Sequence, residues 1–262
     1  MKPRLIALKN VYNSRDLAGY PTTDGHHIKA GRLFRTALLH NLDDQELNTL
    51  HQLNVTRVID FRDDAEISHL PDHLTATIHY LHLPVFKEDE TGASLSTSKP
   101  LERFAIDYNV GRLWMLKAYH DMVTIDSAKS AYREFFCQLL SANENEATIF
   151  HCTAGKDRTG MAAYFLMRAL GVAPEVAAQD YLWTNVYSAD RVRMRIDSVK
   201  AHGGNEVVIY NVRQMSAALP EYLQQATKLI NAHYGDMAHF ISEFLGLSAD
   251  DIADLRRLYL VD

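Results

Sequence analysis

One short segment, HCTAGKDRTG at residues 151–160, carries the residue types needed for nucleophilic chemistry on an anion. Five residues separate Cys152 from Arg158, and Gly155 and Gly160 lie on either side of that arginine. The apolar run ATIF precedes the segment and RTGMAAYFLM completes it, which predicts a strand, a tight turn and a helix. Ligands of α/β sheets bind beyond the carboxyl ends of the strands, so the turn lies where a site is expected.

The turn has the composition of an anion-binding site. Successive backbone amides followed by a helix N-terminus form a concave anion site, and Gly155 and Gly160 let the backbone approach ligand and sheet closely. Arg158 offers a planar fork that matches two phosphate oxygens. These groups should stabilise the Cys152 thiolate, with Thr159 offering a hydroxyl bond to the sulfur. The segment therefore predicts a thiolate nucleophile aimed at phosphorus, with the amides and Arg158 stabilising the transition state.

Longer stretches of the chain carry a family resemblance. HCTAGKDRTG resembles the HCx5R phosphate loop of the protein tyrosine phosphatase superfamily. Together with NSRDLAGYPTTDG, GRLFRTALL, VIDFRDDAEI and the C-terminal YGDMAHFISEFLGLSADDIADLRRLYL, it is similar to the bacterial tyrosine-protein phosphatases whose loop reads HCxxGKDR. The resemblance implies a cysteine-dependent phosphate monoester hydrolase that needs no cofactor and releases inorganic phosphate. It implies phosphotyrosine as the main substrate, with dual-specificity or phosphoinositide hydrolysis as the alternative, and it implies that NSRDLAGY packs near the phosphate loop.

The same resemblance assigns roles to matching positions. Cys152 would be the nucleophile that forms a phosphocysteine intermediate, and Arg158 would bind the phosphoryl group. Many members of the superfamily use an aspartate in a Trp-Pro-Asp context as acid and base, but this chain has no such tripeptide. Relatives with the HCxxGKDR loop imply Asp157 instead. The cradle amides would come from Thr153, Ala154, Gly155, Lys156 and Asp157.

Several polar residues near this segment have two interpretations. Asp60, at the end of the VIDF strand, is a second candidate carboxylate, or it is a salt-bridge or cap partner of Arg62. A cationic residue at position 156 resembles those in the loops of phosphoinositide phosphatases, and Lys156 would then favour substrates with more than one phosphate. The alternative is that Lys156 is a solvated lysine at the tip of the loop. Arg191 and Arg195 share one face of a basic helix, which is either a solvated face with local ion pairs or an auxiliary anion contact.

The composition limits the classes of protein to be considered. The 262 residues are 47% apolar and carry a net charge of −6, with both signs interspersed. This predicts a single domain over residues 1–262, which the resemblance implies is a phosphatase domain, and no nucleic-acid partner. No stretch approaches the ~18 apolar residues of a membrane span, and the N-terminus has no secretory apolar region. A cytoplasmic location is expected, with export without a cleavable signal left open.

Short apolar runs set the expected fold. GRLFRTALL, VTRVIDF, TIHYLHLPV and EATIFHC read as strands, and helical patterns alternate with them. We therefore expect an α/β fold with a mostly parallel central sheet and helices on both faces, and the resemblance implies that this fold is like that of the protein tyrosine phosphatases. The chain after Pro174 predicts a helical C-terminal third. The polar segment 87–100 predicts a loop, and the helical segments 101–123 and 126–142 predict a possible lid over residues 101–142.

Metal chemistry and two rival functions would each need a different set of residues. Neither the close histidine pairs nor the two cysteines have a metal-ligand spacing, so no metal is expected. A phospho-binding module that keeps the cradle without turnover would need neither Cys152 nor Asp157. A redox enzyme of the arsenate reductase type would need further cysteines, and Cys137 is expected to be a buried core residue.

Overall fold

The computed structural model describes residues 2–88, 90–92 and 102–262, so most of the polar segment 87–100 lies outside the described residues. Strands β1–β8 within the described chain are Arg4–Leu5, Arg15–Asp16, His27–Ile28, Leu33–Thr36, Val55–Asp60, His79–His82, Ala147–His151 and Leu260–Val261. Helices α1–α11 are Asp44–Gln52, Asp64–His69, Val110–Asp121, Asp126–Leu140, Arg158–Ala169, Pro174–Tyr187, Ala189–Ala201, Glu206–Ser216, Pro220–Tyr234, Met237–Glu243 and Ala249–Tyr259. A 3₁₀ helix covers Glu102–Ala105.

The main sheet places the strand before the cysteine at its centre. Its strand order is β1-β2-β4-β7-β5-β6, with β4, β7, β5 and β6 parallel to one another. The short strands β1 and β2 add an antiparallel edge. All four strands predicted from apolar runs are present, and β7 lies between β4 and β5. Because these strands are parallel, their carboxyl ends meet at one edge of the sheet.

Alternate residues of the central strands enter two different cores. On β4, Leu33 belongs to the larger apolar cluster and Phe34 to the smaller one on the opposite face. Ile149 and Phe150 of β7 divide in the same way. This alternation follows from the two-residue period of a strand. Helix α1 covers the smaller cluster, while α4 and α5 contribute to the larger one, which confirms a sheet with helices on both faces.

The C-terminal third is helical, as predicted. Helices α6 to α11 follow one another after Pro174, and the Ser248–Asp251 capping box begins α11 as its sequence indicates. The chain ends in β8, which pairs with β3 in a separate two-stranded sheet. None of the helices in the described part of the chain is both long and apolar enough to cross a bilayer.

Two expectations about the helices were wrong in detail. The segment 101–123 is not one helix, because the side chain of Asp107 accepts a hydrogen bond from the backbone N–H of Asn109 and forms a turn before α3. Cys137 is exposed rather than buried. The buried face of α4 carries Tyr132, Phe135 and Phe136, and the 3.6-residue period turns position 137 away from it.

Candidate active site

The phosphate-loop segment lies at the carboxyl edge of the sheet, between the end of β7 and the start of α5. Cys152 follows the last residue of β7 and is 1% exposed. Asp157 is the N-cap residue of α5 and makes no side-chain capping bond there. The first amides of α5 are therefore not satisfied by a side-chain cap, which is the arrangement that favours an anion.

Gly155 explains why the loop can lie so close to the sheet. Its φ is +62°, a left-handed conformation that glycine adopts without strain. A Cβ atom at this position would lie 2.3 Å from the carbonyl oxygen of Thr36 at the end of β4. The close approach to the sheet that the sequence indicated is therefore present, and any side chain at Gly155 would displace the loop.

Arg158 is fully buried and is held by a carboxylate that the sequence analysis did not single out. Its Nη2 donates to Oε1 of Glu66 at 2.9 Å, while Nη1 donates to Oε2 of the same residue. The hydroxyl of Thr153 also donates to Glu66. Burial by itself would raise the pKa of Glu66, but attraction to Arg158 and the hydrogen bonds from Arg158 and Thr153 lower it from 4.5 to about 2. Glu66 thus fixes the plane of the guanidinium.

The sequence carries a local signal for the position of Glu66 at the start of a helix, but no signal for its contact with Arg158. Asp63 and Glu66 form the capping box of α2, in which each side chain accepts from the other residue's backbone N–H. That pattern places Glu66 in the first turn after β5. Its distance from Arg158 in sequence gave no indication that the two side chains meet.

Asp157 is buried and carries two hydrogen bonds on the same oxygen. Its Oδ1 accepts from Nζ of Lys156 at 2.6 Å and from the hydroxyl of Tyr119 at 2.8 Å. Tyr119 comes from α3, and its hydroxyl oxygen can accept a hydrogen bond from the hydroxyl of Tyr181 at 2.9 Å. The donors Lys156 and Tyr119 both bind Oδ1 of Asp157 and not Oδ2.

Lys156 is not a solvated lysine at the tip of a loop. It is 3% exposed, and its Nζ also donates to the carbonyl oxygen of Ala217 at 3.1 Å. Burial lowers its pKa from 10.5, against the attraction of Asp157. Arg195 of α7 lies nearby, since its Nη1 donates to the hydroxyl of Ser216 beside Ala217, and its positive charge lowers the pKa of Lys156 further.

The other predicted loop residues are buried with the nucleophile. Ala154 and Thr153 are 5% and 6% exposed, and Thr159 is fully buried. The hydrogen bond expected from Thr159 to the sulfur of Cys152 is not formed, since the Thr159 hydroxyl has no partner within the described residues. Thr159 lies in the first turn of α5.

Asp60 lies in a separate cluster of charges. Nε of Arg62 donates to Oδ1 of Asp60 at 3.0 Å and to Oδ2 at 2.9 Å, and Nη2 of Arg62 donates to Oδ2 at 2.7 Å. Tyr80 donates to the same Oδ2 at 2.8 Å. These contacts agree with the salt-bridge interpretation of Asp60, and its role as a second acid stays a prediction.

The Asp60 cluster also brings together residues that could ligate a metal. Asp60, Asp72 and Nε2 of His151 come within ligand distance of one another, a grouping that pair spacing in the sequence did not indicate. Arg62 Nη2 lies 2.7 Å from Asp60 and 3.0 Å from Asp72, so one guanidinium pairs with both carboxylates. The two carboxylates also raise the pKa of His151, against the effect of burial, and so favour its positively charged form. The cluster is therefore an ion-pair network behind the nucleophile.

A sequence profile described as the tyrosine phosphatase family matches residues 6–261. The chain belongs to this family. It is accordingly a tyrosine phosphatase, an enzyme of the cysteine-dependent class that the phosphate loop indicated.

Two relatives resemble this phosphatase along almost its whole length. A Cupriavidus necator protein, named provisionally as a tyrosine-protein phosphatase, is 28% identical over 256 residues, which is 97% of this chain and 88% of the relative. The triple specificity protein phosphatase PtpB of Mycobacterium tuberculosis is 27% identical over 281 residues, covering 97% of this chain and 98% of the relative. The crystal structure of P. aeruginosa TpbA aligns with a TM-score of 0.32 and 18% identity, over 72% of this chain and 89% of that one.

Proposed function

We propose that this phosphatase hydrolyses phosphotyrosine through a phosphocysteine intermediate on Cys152. The observation that supports this most directly is that a buried thiol, a carboxylate and a guanidinium lie on one loop at the start of a helix. Arg158 and the loop amides would bind the non-bridging oxygens, where negative charge increases in the transition state. Asp157 is the proposed acid and base, with Tyr119 and Lys156 fixing its orientation.

The proposed reaction has two steps. In the first, the Cys152 thiolate forms a bond to phosphorus as the bond from phosphorus to the tyrosyl oxygen breaks, and Asp157 gives its proton to that oxygen. In the second, Asp157 takes a proton from water, the water oxygen bonds to phosphorus, and the sulfur leaves with the electron pair of the S–P bond. The products are tyrosine and inorganic phosphate, and one water is consumed.

A second candidate substrate class is favoured by the charges beside the loop. Lys156 and Arg195 add two cations to Arg158 in the same region. Two extra cations favour an ester that carries more than one phosphate, such as a phosphoinositide or a doubly phosphorylated peptide. The name of the M. tuberculosis relative, which states triple specificity, supports activity beyond phosphotyrosine.

Hydrolysis of a substrate panel by the wild type and by Asp157→Asn tests these proposals together. The panel comprises phosphotyrosine, phosphoserine and phosphothreonine peptides, phosphoinositides and aryl phosphates with leaving groups of graded acidity. We expect the wild type to hydrolyse phosphotyrosine, and Asp157→Asn to lose roughly 10²-fold in kcat on poor leaving groups and least on the most acidic phenols.

Each other result of the panel has a definite meaning. If the wild type binds these phosphate esters but releases no phosphate, the proposed hydrolysis is wrong and the protein is a phospho-binding module. Faster wild-type turnover of esters with two or more phosphates would favour the second substrate class. An equal loss in Asp157→Asn for all leaving groups would remove Asp157 as the acid.

We also propose a lid, narrower than the segment 101–142. Cys152, Asp157 and Arg158 are at most 2% exposed, so a substrate can reach them only if an element moves. Both helices contribute to the larger apolar cluster. Helix α4 packs against the central sheet through the ring of its Phe135 on Phe61 and Phe150, whereas α3 packs mainly on helices α8 and α9. Helix α3 lies nearer the acid, since its Tyr119 contacts Asp157 directly. The proposed moving element is therefore α3 with the 3₁₀ helix before it.

Hydrogen exchange tests the lid with α4 as the internal control. The amides of α3 should exchange faster than those of α4, and inorganic phosphate should slow exchange in α3 without changing it in α4. Equal protection of the two helices, with no change on adding phosphate, would remove the lid.

A further inference from the structure

A buried polar cluster lies behind the phosphate loop, on the side away from solvent. Arg15 and Arg35 are both fully buried and share the carboxylate of Asp180. Nε of Arg15 lies 2.9 Å from Oδ1, and Nη1 of Arg35 lies 2.6 Å from Oδ2. Tyr20 donates to the same carboxylate at 2.9 Å. Arg15, Arg35 and Asp180 come from β2, β4 and α6, and Tyr20 comes from the segment after β2.

Two members of this region reach the loop itself. Nη2 of Arg35 donates to the carbonyl oxygen of Gly155 at 2.7 Å, and Nδ2 of Asn13 donates to the same oxygen at 2.7 Å. Asn13 also donates to the carbonyl oxygen of Ala154 at 3.3 Å. Nη1 of Arg15 donates to the backbone oxygen of Asn13 at 3.1 Å and holds that residue in place. The segment NSRDLAGY therefore packs against the phosphate loop, as the family resemblance implied.

The geometry points to Arg35 and Asn13 as positioning residues for the phosphate cradle. In a planar trans peptide the C=O and the following N–H point in opposite directions. Holding the Gly155 carbonyl toward the protein interior therefore turns the N–H of Lys156 toward the opposite side, where the anion binds. The bond from Asn13 to the Ala154 carbonyl turns the N–H of Gly155 in the same way.

The conformation of Asn13 agrees with this assignment. Its φ is +59°, in the left-handed region that asparagine enters more readily than most residues. It is 2% exposed, and its amide oxygen accepts from Arg15 while its amide nitrogen faces the loop. An amide side chain is needed for both contacts, because it offers an acceptor at one atom and a donor at the other.

The cluster also carries an excess positive charge. Within the described chain, Asp180 is the one carboxylate that pairs with either Arg15 or Arg35, so two guanidiniums face one anion. Burial and the repulsion of Arg15 lower the pKa of Arg35 to about 10, which leaves it a cation at neutral pH. Asp180 remains ionised, since attraction to the two arginines lowers its pKa to about 2 against the effect of burial. The Arg35 guanidinium thus places positive charge directly behind the anion site.

This inference rests on the proposed phosphate-binding role of the loop, and Arg35→Met tests it against Arg32→Met. Arg32 is also buried but donates to the carbonyl oxygens of Asn143, Glu146 and Leu258, away from the loop. Both changes remove a buried guanidinium, so both should lower the unfolding temperature. Only Arg35→Met should raise the dissociation constant of inorganic phosphate and lower kcat, each by roughly 10- to 100-fold, as when a group that orients a ligating residue is lost. Arg35→Lys, which keeps the charge, should recover part of the phosphate affinity.

Asn13→Gly provides a second variant, because glycine keeps the left-handed backbone and removes the amide donor. It should also weaken phosphate binding, and it keeps the test decisive if Arg35→Met does not fold. Equal phosphate affinity in Arg35→Met, Arg32→Met and wild type, or an unchanged affinity in Asn13→Gly, would overturn the positioning role. Wild type that neither binds nor releases phosphate would instead contradict the proposed function.

Discussion

Replacing Cys152 with serine should abolish turnover while leaving phosphate binding in place. Serine has nearly the same volume and fits the buried site, but its hydroxyl is a far weaker nucleophile than a thiolate. The expected loss in kcat is at least ~10⁴-fold, in the range seen when an enzyme loses its nucleophile. Steady-state hydrolysis of an aryl phosphate, together with inorganic phosphate titration, measures both quantities.

Cys137→Ser is the matched control for this substitution. Cys137 lies exposed on α4, away from the loop, and the same chemical change there should leave kcat within error of wild type. Turnover that survives in Cys152→Ser would show that another group attacks phosphorus. Loss of turnover in both variants would show that serine disturbs the fold rather than the reaction.

Replacing Arg158 with lysine should cost on the order of 10³-fold in kcat/KM and also weaken phosphate binding. Lysine keeps one charge but loses the planar fork, so two oxygens of the transferring group can no longer be held together. The substitution also breaks the paired bonds to Glu66 and leaves a buried carboxylate with fewer donors. Rapid-quench measurement of phosphoenzyme formation would locate the loss in the first step.

The same substitution at Arg168 provides the control. Arg168 lies near the opposite end of α5, where it donates to the carbonyl oxygen of Val172. Arg168→Lys should change stability slightly and leave kcat/KM within a few-fold of wild type. If Arg158→Lys retained similar activity, the guanidinium would have no special part in binding the phosphoryl group.

The elements of the fold that depend on residues close together in the chain could be predicted from the sequence. The strand, turn and helix around Cys152 were evident because apolar runs, glycines and the start of a helical pattern occur in direct succession. The parallel sheet followed from the alternation of such runs with helices. Each of these patterns lies within a short window, where spacing alone fixes which residues share a face.

Contacts between segments that are distant in the chain could not be predicted from local residue spacing. Glu66 and Tyr119 reach the loop from α2 and α3, and nothing in their local spacing points to Arg158 or Asp157. Arg35 and Asp180 are 145 residues apart in the chain, and only the fold brings them together behind Gly155. The prediction that Cys137 is buried was wrong because it relied on the apolar residues next to it in the chain. The helical period, which places position 137 on the exposed face of α4, decides its exposure.

The hydroxyl of Tyr119 gives the proposed lid a part in proton transfer. This tyrosine belongs to α3, yet it donates to the carboxylate of Asp157. A movement of α3 that admits substrate would withdraw that donor, and only the return of the helix would restore it. Admission of the ester and protonation of its leaving group would then depend on one hydrogen bond. A substitution that loosens α3 would consequently alter the sensitivity of the rate to leaving-group basicity, even at positions that never touch the substrate.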